Sequence, residues 1–207
     1  GLDAFIFDVY FIEDSERKLE YKVLKSITDS TLSMDQVENL FPDPDNDLAN
    51  AAKKAGNIIF AQSFKPQGKK KEPVKKRTEV MERRLKLLEE RNLFRTVDPK
   101  QYSSLFDFYD IETVVDTLIK NSAGVYFFQS DPDPDGLQRK YPLVGLYEDK
   151  IFPSASLAIA LQHYGVPFDS VEIIPGDVIR FDLPKTDEHG RNSISIPINA
   201  KGQMQVN

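Results

Sequence analysis

The chain has 207 residues, with 33 Asp and Glu against 27 Lys and Arg and a formal net charge of −6. That balance argues against nucleic acid as a partner, and the absence of cysteine removes disulfides, thiolate catalysis and cysteine-based metal centres. Hydrophobic residues make up 40% of the chain, and no apolar run reaches the ~20 residues that cross a bilayer, so a globular core is expected.

Residues 4–11, rich in Phe, Ile, Val and Tyr, predict a strand buried on both faces. The chain enters this strand at once and stops within another at 204–206, so both ends read as cut from a longer protein. Residues 15–31 are charged and ambiguous. Ser33 is placed to cap a short helix through Leu40, and Phe41-Pro42-Asp43-Pro44 then breaks the chain. Asp45 or Asn46 caps a second helix, rich in Leu and Ala, which Gly56 ends. Residues 57–64 read as a second buried strand. Strand, short helix, strand is the pattern of a parallel βαβ unit. The 15–41 stretch is longer than such a connection needs and reads as decoration.

Residues 65–91 differ in character, with 11 Lys and Arg against 5 Asp and Glu, a local balance of +6. Within them, 79–91 sets Val80, Leu85, Leu87 and Leu88 among charges and predicts a solvated amphipathic helix. Residues 65–101 are expected to form a basic helical insertion, with a solvated loop around 68–73. Asp110 is placed to cap a helix over 111–120, where Val114, Val115, Leu118 and Ile119 fall at helical spacing. Residues 123–129 give a third buried strand, 131–136 a turn, and 137–147 an extended segment. Pro153-Ser154 opens a helix through Tyr164, closed by Gly165. The tail offers short strands at 170–174, 177–182, 193–198 and 204–206. Together these predict one α/β domain over 1–207: a mixed, largely parallel sheet flanked by helices.

Four carboxylates are candidate ligand or cation residues. Asp131, Asp133 and Asp135, followed by Gly136, resemble the first half of an EF-hand loop, but Pro142 stands where the twelfth-position carboxylate belongs. The competing reading is a plain Pro/Asp/Gly turn. Asp8 lies in an apolar strand, where a carboxylate must sit at the strand's C-terminal end or be paired. Ligand sites of open α/β sheets gather at those ends. A metal-dependent hydrolase built on Asp8 and the acidic turn is therefore one functional reading. A second acidic group, Asp43, Asp45 and Asp47, reads first as helix-cap chemistry. The two histidines, His163 and His189, are placed beside neither a nucleophile nor a third ligand. No glycine-rich phosphate loop is present and no cofactor is expected. Arg139, just past the acidic turn, is placed to clamp it through a bidentate carboxylate pair.

Several pieces, in order, resemble a known family. They are Phe5-Ile6-Phe7-Asp8; Asp47-Leu48-Ala49 with Ala55-Gly56-Asn57-Ile58-Ile59; Ala123-Gly124-Val125-Tyr126-Phe127; Asp135-Gly136-Leu137-Gln138-Arg139 running to Pro142-Leu143; Pro153-Ser154-Ala155-Ser156-Leu157-Ala158; and Ile196-Pro197-Ile198 through Gly202 to Asn207. Over about two thirds of its length the chain is similar to the type-2 CHASE domain, a sensory domain of cyclases and histidine kinases. It departs from that family in having no Trp, in Ala155-Ser156 standing ahead of Leu157, and in residues 65–101, which have no counterpart. The resemblance implies a non-catalytic input domain on the extracytoplasmic face of a membrane. It also implies flanking membrane helices outside this chain, an adenylate or guanylate cyclase output, or else a histidine or Ser/Thr kinase. The partner would be a small-molecule or protein signal, with a homodimer as a further possibility. The family carries no established catalytic residue to transfer.

Overall fold

The computed structural model describes residues 4–15, 43–67, 76–130, 133 and 135–206. The helix expected at 33–40, nearly all of the 15–31 stretch and the loop at 68–73 lie outside them. In chain order the elements are β1 (Phe5–Phe7), α1 (Pro44–Ala55), β2 (Ile58–Pro66), α2 (Glu79–Glu90), β3 (Arg95–Thr96), β4 (Phe106–Glu112), α3 (Asp116–Asn121) and β5 (Gly124–Phe127). There follow β6 (Lys140–Pro142), β7 (Val144–Tyr147), β8 (Lys150–Pro153), α4 (Ala155–Tyr164), β9 (Glu172–Ile174), β10 (Val178–Asp182), β11 (Ser193–Pro197) and β12 (Gln203–Gln205). No helix among the described residues is long and apolar enough to cross a membrane.

Seven strands form one mixed sheet in the order β1-β2-β4-β7-β8-β3, with β5 pairing β2 off that path. β1, β2 and β5 run parallel, as do β4 and β7; β2–β4, β7–β8 and β3–β8 are antiparallel. The α/β class expected from the sequence is the class that forms. The long strand β2 organises it: residues 58–62 pair with β1 and β5, and residues 63–66 pair with β4. Phe64 of β2 meets Phe108 at 4.6 Å, Phe127 at 5.4 Å and Phe152 at 5.0 Å between ring centroids. One ring thus ties four strands together, each such pair contributing about 0.5–1.5 kcal/mol beyond area burial. A second apolar cluster, including Leu143, Leu161, Ile179 and Phe181, lies where α4 meets the three-stranded antiparallel sheet β11-β10-β9. β12 pairs with β6 in a separate ribbon.

Local chemistry explains the helix ends. Asp43, not Asp45 or Asn46, caps α1: its Oδ1 accepts from the Asn46 N–H at 3.1 Å, and Pro44 fills the first turn. Asp45 is buried and instead accepts from the Ser15 N–H and Oγ at 2.6 and 2.7 Å. Ser154 caps α4 through the Leu157 N–H, and Gly165 closes it at φ +68°.

Three further expectations need correction. β1 is not buried on both faces: it is an edge strand, with Phe5 47% and Ile6 38% exposed. Only Phe7 is fastened to the core, stacked on Phe60 at 5.6 Å. The helix expected over 111–120 is a strand in its first part. Phe106 and Phe108 are buried alternately with half-buried Asp107 and Tyr109, which is strand period, and β2 and β7 pair with this segment on either side. Asp110, the expected cap, accepts from Lys65 Nζ at 3.2 Å. The helix begins only at Asp116. Within the expected insertion at 65–101, finally, residues 79–94 are built into the core: Leu85 and Leu88 of α2 and the following Leu93 and Phe94 belong to the main apolar cluster. Only the outer face of α2 is solvated.

Candidate functional site

Asp8 directly follows β1, at a strand's C-terminal end, and is exposed rather than buried. Its charge acts on Tyr10. Burial first, and then Asp8, push the Tyr10 phenol up, against hydrogen bonds from Gln129 and Ser63 that lower it. The Gln129 Nε2 donates to Tyr10 Oη at 2.9 Å.

The acidic turn is structured around its arginine. Asp131 lies outside the described residues. Arg139 donates from Nη1 to Asp135 Oδ1 at 2.9 Å and places Nη2 2.8 Å from Oδ2, a bidentate pair. Arg139 Nη1 also reaches Asp133 Oδ2 at 3.4 Å, and Lys140 Nζ stands 3.6 Å from Asp133 Oδ1. Arg139, with the Leu137 N–H, holds the Asp135 carboxyl below the usual range. Both described carboxylates of the turn thus already face a cation of the chain. No three His, Asp or Glu side chains among the described residues are grouped to hold a metal ion, so Asp8 does not form such a group with Asp133 and Asp135. His163 sits in the last turn of α4, edge-on to Tyr164, and His189 sits in a surface turn beside Glu188.

The structure assembles a site that sequence reasoning missed. A pocket of about 260 Å³ opens between the C-terminal end of α2, the start of β5, α4 and the loop 166–169. Leu93, Ala158, Leu161, Val166 and Phe168 supply apolar lining; Arg91, Asn92, Tyr126, Gln162 and Asp169 supply polar groups. Arg91 Nη2 donates to the Ser122 carbonyl at 2.7 Å, and Nη1 donates to the Ile119 carbonyl and, at 3.4 Å, to Ser122 Oγ. Arg91 therefore caps the C-terminus of α3, where a cation is favoured. Burial lowers its pKa, partly offset by the nearby Tyr126.

Tyr126 is buried, and burial raises its phenol pKa despite the Gln162 hydrogen bond and Arg91. Gln162 Nε2 donates to Tyr126 Oη at 3.3 Å and to the Ala123 carbonyl at 3.2 Å. Gly124 makes the ring's position feasible: a Cβ there would lie 2.3 Å from Tyr126 Cε2. The ring folds back over its own strand and turns its hydroxyl toward α4. The Gly-x-Tyr spacing inside an apolar strand was the one sequence signal available. Arg91 read as surface charge, and nothing linked it to residues 35 and 71 positions away.

A wider groove of about 580 Å³ lies between His163–Gly165 and Pro184–Glu188, lined largely by turn residues. It lacks the apolar floor of the pocket at Tyr126. No protein-family model, no curated protein and no solved structure matches this chain.

Proposed function

We propose that this chain is the extracytoplasmic input domain of a membrane-bound signalling protein, as its resemblance to the type-2 CHASE domain implies. Its output would be an adenylate or guanylate cyclase. The observation that carries this reading is the pocket between α2, β5 and α4. It combines an apolar floor with a few converging polar groups, the usual build of a small-molecule site. It also touches four separate elements, so an occupant that binds one arrangement of them better than another shifts the population between arrangements. Flanking membrane helices would carry that shift to the output domain.

Two measurements test the proposal. In the full-length protein, Ala158→Phe fills the pocket from α4 and should change cyclic-nucleotide output several-fold at unchanged membrane abundance. Unaltered output removes the pocket from signalling. Because the chain has no cysteine, Leu137→Cys at an exposed position gives a unique label within it. A membrane-impermeant maleimide should modify it in intact cells. Modification only after lysis would place the domain on the cytoplasmic side.

A further inference from the structure

Two charged side chains line the pocket between α2, β5 and α4, Arg91 and the exposed Asp169, and among the described residues they are not paired with each other. Arg91 has five N–H donors, and its three hydrogen bonds go to the Ile119 carbonyl, the Ser122 carbonyl and Ser122 Oγ. All three acceptors are neutral. Among the described residues no carboxylate pairs with Arg91, and the one ionisable group acting on it is the Tyr126 phenol. Arg91 is half-buried, and cations drawn out of water normally face an anion. The end of a helix supplies at most about half a negative charge, and α3 has only six residues. The guanidinium thus lines the pocket with donors to spare and no carboxylate of the described residues bonded to it.

Tyr126 adds a second donor. Its oxygen accepts from Gln162, and among the described residues no acceptor takes the phenolic proton. With burial raising its pKa, the group stays neutral and protonated near pH 7. The cavity, at about 260 Å³, falls below the roughly 300–1,000 Å³ of drug-sized sites. Leu161 and Phe168 offer its occupant an apolar surface.

We infer that the ligand of this pocket is a small organic monocarboxylate. Its carboxylate accepts from Arg91 and Tyr126, and its compact apolar body lies against Leu161 and Phe168. The inference rests on the ligand-input reading of this same pocket and specifies the chemistry of the occupant.

The test is calorimetric titration of the full chain with benzoate, phenylacetate and 4-methylpentanoate, each against its primary amide, with inorganic phosphate as a charge-only probe. At least one acid should bind about tenfold tighter than its amide, the gap between a charge-assisted and a neutral hydrogen bond, and phosphate should bind more weakly than that acid. Arg91→Met should erase the preference for acid over amide, and Tyr126→Phe should weaken acid binding. Arg91 also caps α3, so its loss perturbs the fold; Ala158→Phe fills the pocket without touching the charge and should abolish acid binding. Amides binding as well as acids, or phosphate binding as well as either, overturns the monocarboxylate and leaves the pocket as an input site. If none of the probes binds, the monocarboxylate is overturned. The pocket reading then falls with it only if Ala158→Phe also leaves signalling output unchanged.

Discussion

Arg84 of α2, only 5% exposed, donates from Nε to Asp116 Oδ1 of α3 at 3.2 Å and so joins two helices through a charge inside the protein. Its Nη1 also donates to the carbonyls of Ile12 and Thr113, at 2.8 and 3.1 Å. One side chain thereby fixes the segment after β1, the end of β4 and the start of α3. Arg83, the neighbouring residue, meets the same carboxylate from solvent at 2.6 Å, with its side chain 57% exposed.

These two arginines should behave very differently when removed. Arg84→Met leaves two carbonyls without their donor and strips Asp116 of its buried partner, a loss of about 3 kcal/mol. Arg83→Met should cost less than about 1 kcal/mol, as exposed pairs do. Urea denaturation of both variants measures the contrast. Equal midpoints would mean that burial does not decide the worth of this pair.

Asp116 gives a pH prediction. Burial raises its carboxyl pKa, but hydrogen bonds from Arg83 and Arg84 outweigh burial and hold it below the ordinary 3.8. A carboxylate with a lowered folded-state pKa contributes stability that is complete above the unfolded value. The contribution is lost as pH falls through the folded one. Wild type should therefore lose stability in acid, from about pH 4 downward, more steeply than Asp116→Asn. Melting curves between pH 5 and pH 2 check the sign.

Two glycines separate steric from conformational cost. At Gly145 an added Cβ would lie 2.1 Å from Cε2 of the buried Phe108 ring. Gly145→Ala must displace that ring and should cost about 3 kcal/mol, at the upper end of overpacking effects. Gly165 has nothing within 4 Å of such an atom but sits at φ +68°. Gly165→Ala should cost only the left-handed backbone term, about 1–2 kcal/mol. A reversed order in chemical denaturation would contradict the packing described around β4 and β7.

Gln62 is 1% exposed, and neither Nε2 nor Oε1 has a hydrogen-bond partner among the described residues. Gln62→Met keeps the shape and removes both unpaired polar atoms, so it should stabilise the protein by about 1 kcal/mol. Destabilisation on thermal unfolding would show that a bound water or ligand pairs this amide.

The acidic turn should ignore calcium. Asp133 and Asp135 already face Arg139 and Lys140, so millimolar calcium should leave the Gly136 and Leu137 amide resonances in place. In Arg139→Ala the freed carboxylates should make the same resonances respond. A wild-type response would establish a cation site at the turn.

The sequence by itself determined the α/β class, the parallel β1-α1-β2 unit, the bounds of α4 from Ser154 to Gly165, and an arginine placed to clamp the acidic turn. These rest on contacts a few residues apart, on hydrophobic period, or on cap chemistry, all of which are written locally. Only tertiary structure decided that 106–112 is a strand: its partners Lys65 and Tyr147 lie far along the chain, and pairing on both sides outweighs the helical spacing that begins at Val114. The same holds for β1, whose composition promised burial but whose place at the sheet edge exposes it. The pocket joining Arg91, Tyr126 and Gln162 was beyond local reading altogether. These three polar groups come from a helix end, a strand and a second helix, and only packing of the core brings them within reach of one small molecule.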